Sequence, residues 1–391
     1  VFDEAPVAKL AGMTVQLGEA LGTAERQAVV SAQKVQLAKT AALADALGYA
    51  LEVHNQFTLL ANAVSTDVQY GDLEEIRSME GVKDAYLMPT FCVPEIQAAS
   101  AEEALAPNLK AVSTGMGANA AWDLGYRGED MTVAVIDTGL YLSNPAFAQQ
   151  PADVSRLAMT KETVSAVLAD RTLHAEAMVE GLTADSVYYN TKIPFAFNYG
   201  DSQADFGNDP NQGHGTHVAG IIAGNLPDAY QEKFKMTTMG LAPEAQLVIM
   251  KVFDANGTGR MDSILAAVED AIALGVDCAN LSLGIASGPM YYAGITEIYD
   301  AAYEAGINVV VSAGNDAFTG YQSLWGSNLV ETSSVSTGTL GMPGTFDSVL
   351  TVASAENSLE FSQYGASNIL SWQDRNGERV PMEYMDAPGT P

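Results

Sequence analysis

Hydrophobic and polar positions change their rhythm twice along the chain. Up to about residue 94 the pattern is mixed. Glu25 to Leu47 is rich in Ala, Gln, Lys and Leu and predicts a helix. Leu51 to Leu60 alternates well enough to predict a strand. Asp72 to Met79 reads as a short helix with Asp72 at its start, and Gly81 to Met88 as a second strand closed by Pro89. These elements predict a small α+β module over residues 1–94. Residues 95–115 are rich in Ala, Glu, Ser and Pro and read as a linker.

From about residue 116 to 366 apolar runs alternate with helical patterns. Met131–Ile136 predicts a buried strand by its β-branched run, and Ala245–Val252, Cys278–Leu283, Ile307–Ser312 and Ser348–Ala353 predict further strands. Between them, His217–Gly224, Asp262–Leu274 and Ile295–Ala305 predict helices. In the second, Ile264, Leu265, Val268, Ala271 and Ile272 share a face, and Gly275 is the stop. Strands joined by helices of this length predict an α/β fold: a mostly parallel sheet with helices on both faces. Two stretches break the rhythm. Ser143 to about Asn211 reads as an insert with a charged helical stretch, and Thr319–Thr345 as surface loops. The polar, hairpin-like residues 367–391 read as the start of a further insert.

Composition narrows the partners. Acidic residues outnumber basic ones 48 to 18, a net charge of −30 that repels nucleic acid and anionic lipid. No apolar run is long enough to span a bilayer. Cys92 and Cys278 lack metal-ligand spacing and read as small apolar residues.

The candidate chemistry lies at the ends of these elements. Asp137 follows the apolar run Thr132–Ile136, where open α/β sheets build their sites. His214 stands between Gly213 and Gly215 at the head of a small-residue segment. A carboxylate can orient an imidazole, and an imidazole can exchange a proton near neutral pH. Ser312-Ala313-Gly314-Asn315 places a side-chain amide after another strand. Taken singly these are weak signals. Asp-Thr-Gly also opens aspartic protease sites, and His214-x-x-His217 suggests zinc until a third ligand is sought. His217 reads as structural, satisfying local polar groups. No Asp-x-Asp-x-Asp-Gly loop is present, so no cofactor is indicated and a structural calcium stays open.

Together, in this order, Asp137, His214 and Asn315 resemble the subtilisin-like serine proteases. The resemblance is strong over residues 112–365, and the long Asp137–His214 spacing is similar to the cell-envelope branch of the lactocepin and C5a peptidase type. It implies that Asp137 orients His214, that His214 is the general base, and that Asn315 donates to the oxyanion. It also implies a cleft bounded by the edge Gly257-Thr258-Gly259-Arg260-Met261 and the wall Ser282-Leu283-Gly284. Ala313 and Gly314 would floor the primary side-chain pocket, with Asp316 at its rim favouring basic side chains. The α+β module resembles the family's propeptide, which occupies its own protein's cleft, and the linker then holds the maturation cut. The expected partners are polypeptide substrates and the protein's own propeptide, with an extracellular, secreted or cell-wall location. The family's nucleophile sits in a Gly-Thr-Ser segment, and none occurs in these residues. These residues alone are therefore expected to be inactive. The rival is a non-catalytic peptide-binding relative that kept the cleft without the serine.

Overall fold

The computed structural model describes residues 1–10, 23–93, 113, 116–169, 173–204, 213–229, 239–285, 292–314, 340–353, 371–373 and 379–381. In the amino-terminal part, α1 (Val7–Leu10) and α2 (Thr23–Leu47) precede the hairpin β1 (Val53–Phe57) and β2 (Ala63–Thr66). Helix α3 (Leu73–Ser78) follows, and then β3 (Thr90–Cys92). The body runs α4 (Ala118–Asp123), β4 (Thr132–Asp137), α5 (Lys161–Ala169), α6 (His174–Met178), α7 (Ala184–Val187), β5 (Phe195–Asn198) and α8 (His214–Ala223). It continues with β6 (Gln246–Lys251), β7 (Thr258–Arg260), α9 (Met261–Leu274), β8 (Cys278–Leu281), α10 (Ile295–Glu304), β9 (Asn308–Ser312) and β10 (Leu350–Val352). A short antiparallel pair closes the described residues, β11 (Ser371–Gln373) with β12 (Arg379–Pro381).

The central sheet has the order β10-β9-β8-β4-β6-β5, and every neighbouring pair is parallel. From β4 the chain first fills one side with β5 and β6, then crosses to build β8, β9 and β10. The direction of winding therefore reverses around β4, which is where ligands bind in open α/β sheets. Alternate residues of the strands feed two cores. Val135, Leu247 and Ile249 pack with Ala219 and Ala223 of α8 on one face. Ala134, Ile136, Val248 and Met250 pack with α9 and α10 on the other. Both faces are covered, as the apolar runs require.

Two expectations are corrected. Residues 81–88 form no strand; Val82 makes only an isolated bridge to Phe2. The strand lies just beyond, at Thr90–Cys92, and its partner is β7 of the body rather than the β1–β2 hairpin. The stretch read as an insert, Ser143 to Asn211, contains α5–α7 and also β5, an edge strand of the central sheet. All four residues of β5 are buried. A four-residue strand buried on both faces carries no alternation to betray it. Of the region read as surface loops, residues 319–339 lie outside the described residues, whereas Met342 is buried and pairs with Ile285.

The amino-terminal part packs on the outer side of α9, and this explains an oddity of that helix. Its apolar face meets the sheet as expected, yet its polar residues Asp262, Glu269 and Asp270 are also buried. Each carboxylate has partners. Asp262 takes both Arg260 nitrogens at 3.0 Å and Asn55 of β1 at 3.3 Å. Glu269 accepts from the Leu60 N–H at 3.3 Å and contacts His174 Nε2 at 2.6 Å. Asp270 accepts from the N–H groups of His174 and Ala175 and from the Tyr199 hydroxyl. Buried carboxylates demand such partners.

Candidate active site

Asp137 ends β4 with 1% of its side chain exposed. His214 opens α8, and its Nδ1 lies 2.8 Å from Asp137 Oδ1. The pair comes together because α8 starts against the loop that leaves β4. Gly213 precedes the helix with φ of 62°, and the Gly215 N–H donates to Thr138 Oγ1 at 2.9 Å. A Cβ on Gly215 would stand 2.3 Å from Gly139 O, so no side chain fits at this crossing. Tyr141 N–H donates to Thr216 Oγ1 at 2.8 Å, a third clasp between the two segments. Asp137 Oδ1 also accepts from the Thr138 N–H at 2.7 Å, and this fixes the carboxylate plane. Its Oδ2 is buried with no partner among the described residues.

A carboxylate bonded to Nδ1 holds the imidazole in one tautomer and orientation, and it stabilises the imidazolium. Proton exchange with a third group then falls to Nε2. His214 keeps 15% of its side chain exposed, so the ring meets the surface while the carboxylate does not.

Of the other expected residues that are described, Ser282–Gly284 follow β8 and Ala313 and Gly314 follow β9 at the same carboxyl edge of the sheet, while Gly257, Gly259, Arg260 and Met261 run from the approach to β7 into the start of α9. Strand β7 contains Gly259 and Arg260, and the loop before it ends at Gly257. This edge is already paired. Phe91 lies opposite Gly259, the Val93 N–H donates to Gly257 O at 3.1 Å, and the Met261 N–H donates to Pro89 O at 3.3 Å. The Phe91 side chain is buried, and its Cβ and the Phe253 ring crowd Gly259. Arg260 turns to Asp262 rather than toward Asp137 or His214. The Met261 side chain is wholly buried in the core, as is that of Leu283, so both side chains are core rather than cleft lining. Their pattern as buried neighbours of α9 and β8 was available as a signal. Ser282 Oγ accepts from Asn280 Nδ2 at 3.0 Å, and Gly284 is exposed. Ala313 donates its N–H to Val352 O and accepts from the Gly341 N–H, and Gly314 follows exposed with φ of 104°. Asn315 and Asp316 lie outside the described residues. His217, expected to satisfy local polar groups, is exposed on α8, and its backbone N–H donates to Gly213 O at 2.9 Å.

A second imidazole–carboxylate contact, His174 with Glu269, had no motif to announce it. Burial alone would lower the His174 pKa, but the Glu269 bond and the charges of Glu269 and Asp270 outweigh burial and hold it above 6.5. Burial pushes the Asp270 carboxyl up to about 6. Among the described residues no group of three or more His, Cys, Asp or Glu could hold a metal ion, and no helix is long and apolar enough to cross a membrane.

Residues 128–379 match the subtilase family. The chain belongs to that family. It is 30% identical over 314 residues to the PI-type proteinase of Lactococcus lactis subsp. cremoris, covering 76% of this chain and 14% of that protein. It is 31% identical over 261 residues to the C5a peptidase of Streptococcus pyogenes, covering 66% and 20%. It is 25% identical over 329 residues to the minor extracellular protease Vpr of Bacillus subtilis, covering 82% and 33%. The chain thus spans a third or less of the length of these relatives. The subtilase match runs 13 residues past 366, the expected end of the catalytic part, to residue 379.

Proposed function

We propose that the full-length protein is an extracellular serine endopeptidase, with Asp137 orienting His214 as general base and a serine from outside residues 1–391 as nucleophile. The observation that carries this reading is the 2.8 Å contact between Asp137 Oδ1 and His214 Nδ1 at the carboxyl edge of the sheet, where the winding reverses. In acyl transfer His214 Nε2 takes the serine proton as the hydroxyl attacks the peptide carbonyl, then returns it to the leaving amine. Asn315 is the proposed side-chain donor to the tetrahedral oxyanion. Substrates are polypeptides held in extended form, between the β7 edge on one side and Ser282–Gly284 on the other, with Ala313 and Gly314 flooring the primary pocket. Main-chain pairing of this kind tolerates many sequences.

Residues 1–94 act in this reading as an inhibitory propeptide. The pairing of β3 with β7 supports it, because a segment of the same chain covers the edge that an extended substrate would use. The relatives' names extend the reading to an extracellular setting: one is an extracellular protease and one acts on C5a.

The test is labelling of the full-length protein by a serine-directed fluorophosphonate, with the modified peptide sequenced. Labelling of one serine beyond residue 391, abolished by His214→Ala, is the expected result. Peptide binding without labelling or turnover would instead establish the non-catalytic rival.

A further inference from the structure

Beneath the loop that joins β6 to β7 lies a polar group that the triad chemistry does not use. Lys251 ends β6 with its side chain 10% exposed. Its ammonium bonds Asp201 Oδ2 at 2.9 Å, Asn198 Oδ1 at 3.4 Å and the Phe253 carbonyl. Asn198 and Asp201 also hold each other: Asn198 Nδ2 donates to Asp201 Oδ2, and the Asp201 N–H donates to Asn198 Oδ1, both at 3.0 Å. The second oxygen of Asp201 accepts the Ala255 N–H at 3.0 Å. Burial alone would raise the Asp201 carboxyl, but these bonds outweigh it and hold it below its usual range.

The network therefore joins three strand ends. Asn198 closes β5, Lys251 closes β6 opposite Asp137 of β4, and Phe253 and Ala255 begin the run to β7. The backbone fits as closely. Tyr199 and Gly200 donate N–H groups to Lys251 O, and a Cβ on Gly200 would lie 2.5 Å from the Phe253 carbonyl carbon. The loop then continues rigidly into the edge. The Asp254 side chain accepts from the N–H groups of Asn256 and Thr258, and the Asp254 N–H donates to Thr258 O. Phe253 bridges Gly259 and packs its ring there. A charge pair with five further bonds is a large investment for a surface loop, since burying ions is costly unless every group is partnered.

We infer that Lys251, Asp201 and Asn198 are positioning residues that set the height and register of the β7 edge against Asp137 and His214, and so govern the binding of extended chains. They touch no substrate themselves. Their action is to fix the Phe253 carbonyl and the Ala255 N–H, which leaves Gly257–Arg260 presenting its main-chain groups in one line. The inference rests on the proposed role of β7 as the substrate edge.

Asp201→Asn in the full-length protein tests it in two ways. Before any maturation, amide exchange at Val93, Thr258 and Met261 is expected to speed at least tenfold, with Thr132–Asp137 unchanged. This arm needs no catalysis, so it stands or falls apart from the protease reading. In the mature enzyme, KM for a peptide of eight or more residues is expected to rise about tenfold with kcat held. Hydrolysis of a small ester that uses only the triad stays unchanged. Lys251→Arg should retain most of the wild-type behaviour, while Lys251→Met should match Asp201→Asn. Unchanged exchange at β7, or equal loosening of β4 and β7, would overturn the inference. So would an equal loss of ester and peptide hydrolysis.

Discussion

Among the described residues three imidazoles contact carboxylates: beside the outlying His54–Asp67 pair at 3.1 Å, two contacts have nearly equal length and opposite surroundings. His214 meets Asp137 at 2.8 Å, and His174 meets Glu269 at 2.6 Å. In the first, the carboxylate hangs from the end of a central strand and the ring keeps 15% exposure at the carboxyl edge of the sheet. In the second, the carboxylate sits mid-helix and the ring is 9% exposed, with the Phe57 ring packed against it at a 42° tilt, 5.0 Å between centroids. The nitrogen engaged also differs. Asp137 takes Nδ1 of His214, and Glu269 takes Nε2 of His174. An imidazole paired with a carboxylate is therefore no sign of catalysis by itself. What separates the two is place: one lies where the sheet's winding reverses, and the other is roofed by the amino-terminal segment.

The largest effects should separate the two pairs by activity. On the proposed function, His214→Ala in the full-length protein is expected to lower kcat about 10⁶-fold and Asp137→Asn about 10⁴-fold, the scale known for subtilisin and chymotrypsin-type triads. His174→Gln should leave kcat of the mature enzyme within about twofold, and a comparable loss there would erase the contrast. Steady-state kinetics on one peptide substrate decides it.

Stability should show the reverse ranking. His174→Ala leaves Glu269 buried without its cation, and breaking such a pair costs about 3–5 kcal/mol. Urea unfolding of the uncleaved protein measures this. The loss should fall on the docking of residues 1–93, because Glu269 also holds the Leu60 N–H and Phe57 loses its ring partner.

A glycine comparison sharpens the geometry. Gly215→Ala drives a Cβ against Gly139 O and must displace His214, for which a drop in kcat of about 10²-fold is expected. Gly220→Ala in the same helix meets nothing within 4 Å and should leave kcat unchanged, while stabilising the helix by up to about 1 kcal/mol. Equal losses in the two variants would mean that helix flexibility, not the crossing with Gly139, governs the site.

The smallest effect is in pH. The folded-state pKa of His174 is raised above 6.5, so its contribution is complete below 6.5 and lost as pH rises through the folded value. Asp270, raised to about 6 by burial, is present in the wild type and in His174→Gln alike, so the difference between the two follows His174. The stability advantage of the wild type over His174→Gln should therefore be greater near pH 6 than near pH 9. A thermal-melt series across that range would show it, and an advantage growing toward alkaline pH would contradict it.

Much of this was legible before any coordinates. Apolar runs at 131–136, 245–252, 278–283 and 307–312 announced strands, and those at 131–136 and 245–252 are mostly apolar because the two central strands they form are covered on both faces. Asp137 stood out as a charge at the end of such a run, and His214 as an imidazole framed by glycines. Gly275 marked the end of α9, and it does adopt the left-handed cap. Less could be read where a residue's surroundings come from distant segments. The uniform burial of β5 hid it inside an apparent insert. The apolar face of α9 could be read from its period, but not the burial of Asp262, Glu269 and Asp270 on its other side, which comes from the amino-terminal segment and α6. Strand β3 was not announced at all, because three residues have no period and their partner lies some 170 residues on.

The local chemistry of this chain was thus determined by sequence alone: most strands of the central sheet and the helices between them, the subtilase order of Asp137 and His214, and the residue types able to move a proton. Propensity, periodicity and small-residue crossings act over a few residues and leave their mark in the letters. Tertiary structure decided which carboxylate meets which imidazole, which polar face is buried, and that β3 covers β7. Those outcomes depend on contacts across tens to hundreds of residues, whose energies arise only when the segments meet in space.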